Sequence, residues 1–387
     1  MSAPMRLQAL PYRLPLRQPW HSARGTLSER CGWLLVAEHD GLTGYGDCAP
    51  LPAAGTEELD AADRRLTHWQ ARASACTPQA MLDALDAALP SATPAADAAV
   101  ECALLDVLSK AAAVPLRAYL LRGCAPALAE LATSASTPER IPVNGALGAL
   151  MNCLPQTIAA QCAAGFRVLK LKVGTGHWSD EIEQLGALLA ALPEGAQLRL
   201  DANGAWDFAT ASRILQALEA LNAKCKRGPP PIESLEEPLR DPQDNQLAQL
   251  QARTSIALAL DESLPRRAWP LKLDHLPVRR LVLKPQVLGG LRPSLKLAAA
   301  ALEAGKETLV TSLIESAAGL WASAQLAAAL AHLAEGSQAA RIHHGLATAD
   351  WLAKDLGEPP PIRDGMLHLG EGPGSGFQSW ATAGDRE

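Results

Sequence analysis

The middle of the chain contains the run Gln197-Leu198-Arg199-Leu200-Asp201, a short, largely apolar segment that ends in a carboxylate. Its length and composition are typical of a buried β-strand. Seven similar runs lie from residue 141 onward: Ile141–Leu147, Arg167–Val173, Ile232–Glu236, Ile256–Asp261, Arg279–Lys284, Thr308–Ser312 and Arg341–Leu346. Their ends recur about every 30 residues, which is the spacing of parallel strands joined by helical crossovers. We therefore predict a parallel α/β sheet.

Eight such units within about 205 residues favour a closed barrel over an open sheet. The alternative is a doubly wound sheet, which usually carries phosphate-binding glycines after its first strand. The first run contains Pro142-Val143-Asn144-Gly145, which has no such glycine pattern. The barrel is therefore the favoured fold.

The chain before the barrel has a different pattern. Strand-like runs at Met5–Leu10 and Gly32–His39 precede three helical patterns, at Glu57–Ala75, Pro78–Ala88 and Ala95–Ala113. This order predicts an α+β domain over residues 1–135, followed by the barrel over residues 136–351.

Composition and charge exclude several classes of protein. Lys and Arg number 35 against 41 Asp and Glu, a net charge of −6, and no basic stripe suggests nucleic-acid binding. No run is long enough for a membrane span, and the proline-rich N-terminus does not resemble a signal peptide. The 8 cysteines form no C-x-x-C pair, so we interpret them as free thiols of a cytoplasmic protein.

Two lysines end the second predicted barrel strand. Alternation along Leu169-Lys170-Leu171-Lys172 places Lys170 and Lys172 on one face, where each ammonium lowers the pKa of the other. An amine with a lowered pKa suits a general base, although a solvated pair on an outer face fits the same pattern. Lys284 ends the sixth predicted strand, on the opposite wall of the barrel.

Carboxylates end the three strands between these lysines. Asp201, Glu236 and Asp261 are expected to converge at the C-terminal end of the barrel, where active sites of this fold lie. Three anions repel unless a cation joins them, and an all-oxygen set suits Mg²⁺, with Mn²⁺ as a possible substitute. No His or Cys accompanies them, which disfavours zinc. The adjacent His343 and His344 face opposite ways and are interpreted as structural.

Lysines on opposite walls and a cation between them suit one type of reaction. The cation would bind a substrate carboxylate and stabilise the enediolate formed when a lysine removes the α-proton. A small-molecule carboxylate is therefore the expected substrate.

The ordered motifs resemble the muconate-lactonizing subgroup of the enolase superfamily. They are Lys170-Leu171-Lys172, Asp201-Ala202-Asn203, Glu236-Glu237-Pro238, Asp261-Glu262-Ser263 and Lys284. The resemblance implies a modified TIM barrel, (β/α)₇β, with an N-terminal α+β capping domain that the C-terminal tail, residues 352–387, completes.

The resemblance also implies roles for single residues. Asp201, Glu236 and Asp261 become Mg²⁺ ligands, Lys172 the acid/base, Lys170 its pKa-lowering neighbour and Lys284 the opposing lysine. Asn203, Glu262 and Arg199 are expected around the ligands, and Thr311, Ser312 and Gly345 are expected to bind substrate.

Within the subgroup, segments such as Leu198–Trp206 and Ala259–Leu264 are most similar to the o-succinylbenzoate synthase family. That likeness implies a Mg²⁺-dependent syn dehydration in menaquinone biosynthesis. Racemisation of N-acylamino acids and cycloisomerisation of muconate use the same residues and stay open as alternatives. A non-catalytic barrel would be expected to lack one of the lysines or ligands, and all of them are present. The oligomeric state stays open.

Overall fold

The computed structural model describes residues 4–22, 25–122, 137–225, 228–335 and 341–380. Its strands are β1 (Arg6–Ser22), β2 (Gly25–His39), β3 (Leu42–Cys48), β4 (Arg140–Pro142), β5 (Gly145–Ala149), β6 (Val168–Lys172), β7 (Gln197–Asp201), β8 (Ile232–Glu236), β9 (Ala257–Leu260), β10 (Arg280–Leu283), β11 (Glu307–Val310), β12 (Ile362–Arg363) and β13 (Met366–His368). Its α-helices are α1 (Leu59–Ala73), α2 (Pro78–Ala87), α3 (Pro94–Ala111), α4 (Leu116–Arg122), α5 (Pro155–Ala163), α6 (Trp178–Ala190), α7 (Phe208–Lys224), α8 (Asp244–Gln251), α9 (Pro285–Leu288), α10 (Leu291–Glu303) and α11 (Ala317–Leu333).

Seven parallel strands, β5 to β11, form one curled sheet in which neighbours in space are also neighbours in sequence. Helices connect most of them, as the 30-residue spacing predicts. Strands β7 and β8 coincide residue for residue with the predicted runs. The predicted fold class, an α/β modified barrel preceded by an α+β domain, is confirmed.

Two of the eight predicted barrel strands are not single strands of the structure, and four others are shortened or shifted by one or two residues. Ile141–Leu147 is divided between β4, which pairs with the C-terminal β13, and β5 of the barrel. Arg341–Leu346 is not a strand, since only His344 and Gly345 form bridges, to Val143 and Thr311. The reason is a side-chain interaction: the His344 Nδ1 accepts the Val310 N–H at 3.1 Å, in place of a main-chain acceptor. The bridges connect the segments beside the two edge strands of the sheet, since Val143 precedes β5 and Thr311 follows β11.

The crossover from β9 to β10 also departs from the regular pattern. A single 3₁₀ turn at Leu273–His275 stands where the βα repeat predicts a helix. Pro265, Pro270 and Pro277 interrupt this segment, and proline removes the N–H that a continuing helix needs.

Ahead of the barrel, β1, β2 and β3 form an antiparallel sheet packed against α1 and α3, and α2 packs on α3. Helix α3 is buried along most of its length. It packs closely on β3 because that strand has glycines where the two backbones meet: a Cβ on Gly46 would lie 1.9 Å from the Ala99 carbonyl oxygen. Apolar burial of α3 is expected to dominate the stability of this part of the chain.

The C-terminal tail contacts the N-terminal elements. The Ala353 N–H donates to the Pro15 carbonyl oxygen at 2.8 Å, and the Leu116 N–H donates to the Gly374 carbonyl oxygen at 2.8 Å. The predicted division at residue 135 falls within residues 123–136, outside the described residues, and the domain limits stay a prediction.

The cysteines of the described residues are free thiols: Cys31, Cys48, Cys76, Cys102, Cys153, Cys162 and Cys225. Cys124 lies outside the described residues. No helix in the described ranges has the length and apolar character needed to cross a membrane.

Candidate active site

Lys170 and Lys172 lie on one face of β6, as alternation predicts, while Leu169 and Leu171 are fully buried on the other. Parallel register places Lys172 opposite Asp201 of β7. The Lys170 Nζ lies 2.9 Å from the Asp201 Oδ2. It also donates a hydrogen bond to the Glu236 Oε2. The alternative interpretation of a solvated pair on an outer face is therefore wrong.

The two lysines differ in their electrostatics. Burial lowers the pKa of Lys172, and the ammonium groups of Lys170 and Lys284 lower it further, against the attraction of Asp201 and Glu262. Burial alone would also lower the pKa of Lys170, but Asp201 and Glu236 outweigh it and raise that pKa well above its usual value. Lys170 lowers the pKa of Lys172, as predicted, whereas the pKa of Lys170 itself is raised because the neighbouring carboxylates dominate there.

Lys284 follows β10, which is separated from β6 in the sheet by β7, β8 and β9. Its Nζ forms an ion pair with the Asp261 Oδ1 at 2.6 Å. Burial opposes the charge, but Asp261 and Glu262 raise the pKa of Lys284 above its usual value. The structure therefore places amines on two walls with the acidic side chains between them.

The three predicted metal ligands are buried at the ends of adjacent strands. Asp201, Glu236 and Asp261 are 2 %, 1 % and 5 % exposed, and Asp201 pairs in register with Glu236. In the ranges that the structure describes, no three Asp, Glu, His or Cys side chains are grouped closely enough to hold a metal ion. The ammonium groups of Lys170 and Lys284 offset part of the charge of the three carboxylates in this arrangement.

The donor set nevertheless suits a hard divalent cation. The Asp201 Oδ2 and the Glu236 Oε2 both reach the same Lys170 nitrogen, so carboxylate oxygens from two strands already converge on one positive charge. Asp261 follows the next strand, and it interacts electrostatically with Lys170, Glu236 and Asp201. An all-carboxylate set of this kind fits Mg²⁺ better than zinc. The three-ligand metal site itself stays a prediction.

The residues expected around the ligands are close to them. The Asn203 N–H donates to the Asp201 Oδ1 at 3.0 Å, and the Asn203 Nδ2 donates to the Glu262 Oε1 at 3.1 Å. The Arg199 Nε lies 3.9 Å from the Glu236 Oε1 and 2.8 Å from the Glu233 Oε1. These contacts connect the strand ends to each other.

The residues expected to bind substrate are hydrogen-bonded to one another. Thr311 and Ser312 follow β11, the strand next to β10, and both contact Gly345. The Thr311 Oγ1 donates to the Gly345 carbonyl oxygen at 3.1 Å, and so does the Ser312 N–H at 3.1 Å. The Ser312 hydroxyl lies 2.7 Å from the Thr348 hydroxyl. Their role toward a substrate stays a prediction.

The adjacent histidines are structural, in agreement with the sequence. Burial lowers the pKa of His344 to about 3, and the neutral ring accepts the Val310 N–H. The His343 Nδ1 lies 3.3 Å from the Val143 carbonyl oxygen.

One residue at the site was missed by the sequence reasoning. Glu237 is 4 % exposed, and its Oε1 accepts hydrogen bonds from the Asp261 N–H at 2.6 Å and the Ser263 N–H at 2.9 Å. Burial raises the pKa of Glu237 to about 7, against the effect of these donors. The motif Glu236-Glu237-Pro238 contained the signal, but a second glutamate beside a ligand has no distinguishing pattern.

Comparison with known families agrees with this architecture. The family described as "Enolase C-terminal domain-like" matches residues 156–380. The family described as "Mandelate racemase / muconate lactonizing enzyme, N-terminal domain" matches residues 6–121. This chain belongs to the enolase superfamily. Members of this superfamily generally bind a divalent metal ion, typically Mg²⁺.

Curated relatives of this enolase-superfamily chain include two named o-succinylbenzoate synthase. The protein from Thermosynechococcus vestitus is 33 % identical over 279 residues, covering 69 % of this chain and 74 % of the relative. The protein from Desulfotalea psychrophila is 29 % identical over 345 residues, covering 81 % of this chain and 87 % of the relative. These relatives support enzyme status for this chain.

Solved structures share the fold. The muconate lactonizing enzyme from Pseudomonas fluorescens complexed with muconolactone has a TM-score of 0.78 at 23 % identity, over 98 % of this chain and 97 % of that chain. The N-succinyl Arg/Lys racemase from Bacillus cereus has a TM-score of 0.79 at 22 % identity, over 98 % of this chain and 96 % of that chain. At these identities the likeness concerns the fold alone.

Proposed function

We propose that this chain is an o-succinylbenzoate synthase, a carbon–oxygen lyase of menaquinone biosynthesis. The reaction is the syn dehydration of 2-succinyl-6-hydroxy-2,4-cyclohexadiene-1-carboxylate to 2-succinylbenzoate. The observation that carries the proposal is the placement of Lys170 and Lys172 on β6 and Lys284 after β10, with buried carboxylates on the strands between them. The names of the curated relatives support the choice of this reaction within the superfamily.

Lys172 is the acid/base in this proposal. Its lowered pKa makes the neutral amine more accessible, so Nζ takes the α-proton and the C–H electron pair moves toward the substrate carboxylate. That electron pair then forms the ring double bond as the C–O bond breaks. The Lys172 ammonium gives its proton to the departing hydroxide, so one water molecule leaves. A single base on one face serves both steps because the elimination is syn.

The other charged residues bind and orient. Asp201, Glu236 and Asp261 would hold Mg²⁺, or Mn²⁺ as a substitute, and the metal's charge would neutralise the carboxylate as the α-proton leaves. Lys284 approaches from the opposite wall and adds a second positive charge beside the substrate anion. Thr311, Ser312 and Gly345 are the proposed contacts for the succinyl end of the substrate.

A direct assay of aromatisation tests the proposal. Product formation is followed by ultraviolet absorbance with the purified full-length protein, the Lys172→Ala variant and the wild type treated with a chelator. We expect turnover by the wild type, its loss in Lys172→Ala, and its recovery after Mg²⁺ is returned to the chelated protein. Turnover by the wild type no faster than that of Lys172→Ala would overturn the proposal.

Racemisation of N-acylamino acids is the second candidate. It is favoured by the opposition of Lys172 and Lys284, because a two-base mechanism needs an amine on each face of the α-carbon. In ²H₂O this activity would introduce deuterium into both enantiomers of an N-acylamino acid. Deuterium incorporation into both, without aromatisation of the dehydration substrate, would favour the racemase.

A further inference from the structure

The Glu237 side chain accepts hydrogen bonds from the turn that follows β9. One carboxylate oxygen, Oε1, accepts three hydrogen bonds: from the Asp261 N–H at 2.6 Å, the Ser263 N–H at 2.9 Å and the Ser263 Oγ at 2.7 Å. The residue that donates the first of these bonds, Asp261, is a proposed metal ligand. The side chain therefore fixes the main chain on which that ligand stands.

The main chain of Glu237 contacts the loop that follows β7. Its carbonyl oxygen accepts the Gly204 N–H at 2.7 Å, and the next carbonyl, of Pro238, accepts the Trp206 N–H at 3.3 Å. Glu237 adopts φ +43°, a left-handed conformation that is costly for a residue with a side chain. The surrounding hydrogen bonds hold this conformation, which directs the carboxylate toward β9 and the carbonyl toward β7.

Glu237 thus connects the ends of three strands. It follows Glu236 in the chain, its carbonyl holds the loop after Asp201, and its side chain holds Asp261 and Ser263. We propose that Glu237 is a positioning residue that sets the relative placement of the three carboxylates, with Ser263 as its partner. This inference rests on the proposed metal site.

Metal affinity is the property that this positioning affects. Loss of a group that orients ligands typically lowers metal affinity about 10–100-fold. In Glu237→Ala the Asp261 and Ser263 donors lose their acceptor. The turn that contains Asp261 can then move relative to Glu236. In Glu237→Gln the amide oxygen accepts the same three bonds, so most of the affinity is retained.

A matched control exists at the opposite end of β9. The Glu219 Oε1 of α7 accepts hydrogen bonds from the Thr254 Oγ1 at 2.6 Å and the Ser255 Oγ at 2.9 Å. Here too a glutamate oxygen accepts hydrogen bonds from a turn. These bonds lie where β9 begins, away from the strand ends that carry the carboxylates. Glu219→Ala is therefore expected to change stability without changing metal affinity.

Mn²⁺ binding to the metal-free full-length protein tests the inference. Unbound Mn²⁺ is measured by electron paramagnetic resonance during titration of the wild type, Glu237→Ala, Glu237→Gln, Ser263→Ala and Glu219→Ala, and thermal unfolding of each is recorded. We expect affinity to fall at least 10-fold in Glu237→Ala, less in Ser263→Ala, and little in Glu237→Gln and Glu219→Ala.

The outcomes separate the two proposals. A wild type that binds no Mn²⁺ would contradict the metal site of the proposed function. Binding by the wild type with unchanged affinity in Glu237→Ala would overturn the positioning role alone, as would an equal loss in Glu219→Ala. Should Glu237→Ala fail to fold, an unchanged affinity in Ser263→Ala would overturn the role instead.

Discussion

Lys170 lies between two carboxylates, with its Nζ 2.9 Å from the Asp201 Oδ2 and hydrogen-bonded to the Glu236 Oε2. The sequence suggested this lysine as a source of positive charge that lowers the pKa of Lys172. The structure adds a second role, because the same ammonium compensates two buried anions.

Lys170→Met is expected to destabilise the metal-free protein by about 3–5 kcal/mol, because it leaves Asp201 and Glu236 buried without their cation. Mg²⁺ is expected to recover part of this loss by taking the place of the missing charge. Urea denaturation with and without Mg²⁺ measures both effects. Lys110→Met is the control, since Lys110 pairs with buried Asp106 at 2.9 Å outside the site. Equal recovery of the two variants by Mg²⁺ would contradict the prediction.

Lys172→Arg is expected to lower kcat of the dehydration by about 10²–10⁴-fold, because the guanidinium keeps the positive charge but does not act as a base near neutral pH. Steady-state aromatisation assays measure the effect, and circular dichroism checks the fold. Lys296→Arg changes an exposed lysine of α10 and is expected to leave kcat unchanged. Retention of wild-type kcat in Lys172→Arg would remove Lys172 from the mechanism.

Glu315 gives a prediction about pH. It is 1 % exposed, and burial together with the nearby Asp47 raises its pKa to about 8. Between the unfolded pKa near 4.5 and about 8, the folded state holds the proton more tightly, so stability falls as pH rises. The slope from this one group is at most about 1.4 kcal/mol per pH unit.

Comparison with Glu315→Gln isolates this contribution, since the amide does not titrate. The variant is expected to gain stability relative to the wild type as pH rises from 5 to 8, measured by urea denaturation at several pH values. A stability difference that stays constant over this range would show that Glu315 does not titrate as expected.

Two helix glycines form a matched pair. A Cβ on Gly319 of α11 would lie 2.6 Å from the Glu315 Cβ and 3.0 Å from the Asp47 Oδ2. Gly319→Ala is therefore expected to destabilise by about 1–3 kcal/mol through overpacking. A Cβ on Gly186 of α6 would meet only the Leu221 Cδ2, at 3.5 Å, so Gly186→Ala is expected to stabilise by about 0.5–1 kcal/mol. Thermal unfolding measures both, and shifts of the same sign would contradict the close contact at Gly319.

The strand pattern was predictable because it is local. Alternation and apolar runs identified β7 and β8 residue for residue. The same pattern failed at Arg341–Leu346, where a histidine side chain replaces a main-chain acceptor and strand pairing is reduced to single bridges. No periodicity along the chain reports such an interaction.

The placement of the acidic and basic residues was also predictable, because parallel strands joined by regular crossovers end on one side of the sheet. Lys170, Asp201, Glu236, Asp261 and Lys284 follow from that rule. Which amine would carry the raised pKa did not follow from it. Lys170 and Lys172 occupy equivalent positions in the alternation, yet the pKa of Lys170 is raised and that of Lys172 is lowered.

The amino-acid order therefore specifies the parallel strands and which chemical groups end them, since both depend on neighbours along the chain. Two sets of contacts arise only from folding. Lys170 pairs with two carboxylates, and Glu237 accepts hydrogen bonds from Asp261 and Ser263. The physical reason is the short range of these interactions. Coulomb and hydrogen-bond energies depend on separations of a few ångströms, and the side chains concerned are distant in sequence. They also depend on burial, which removes water from between the groups.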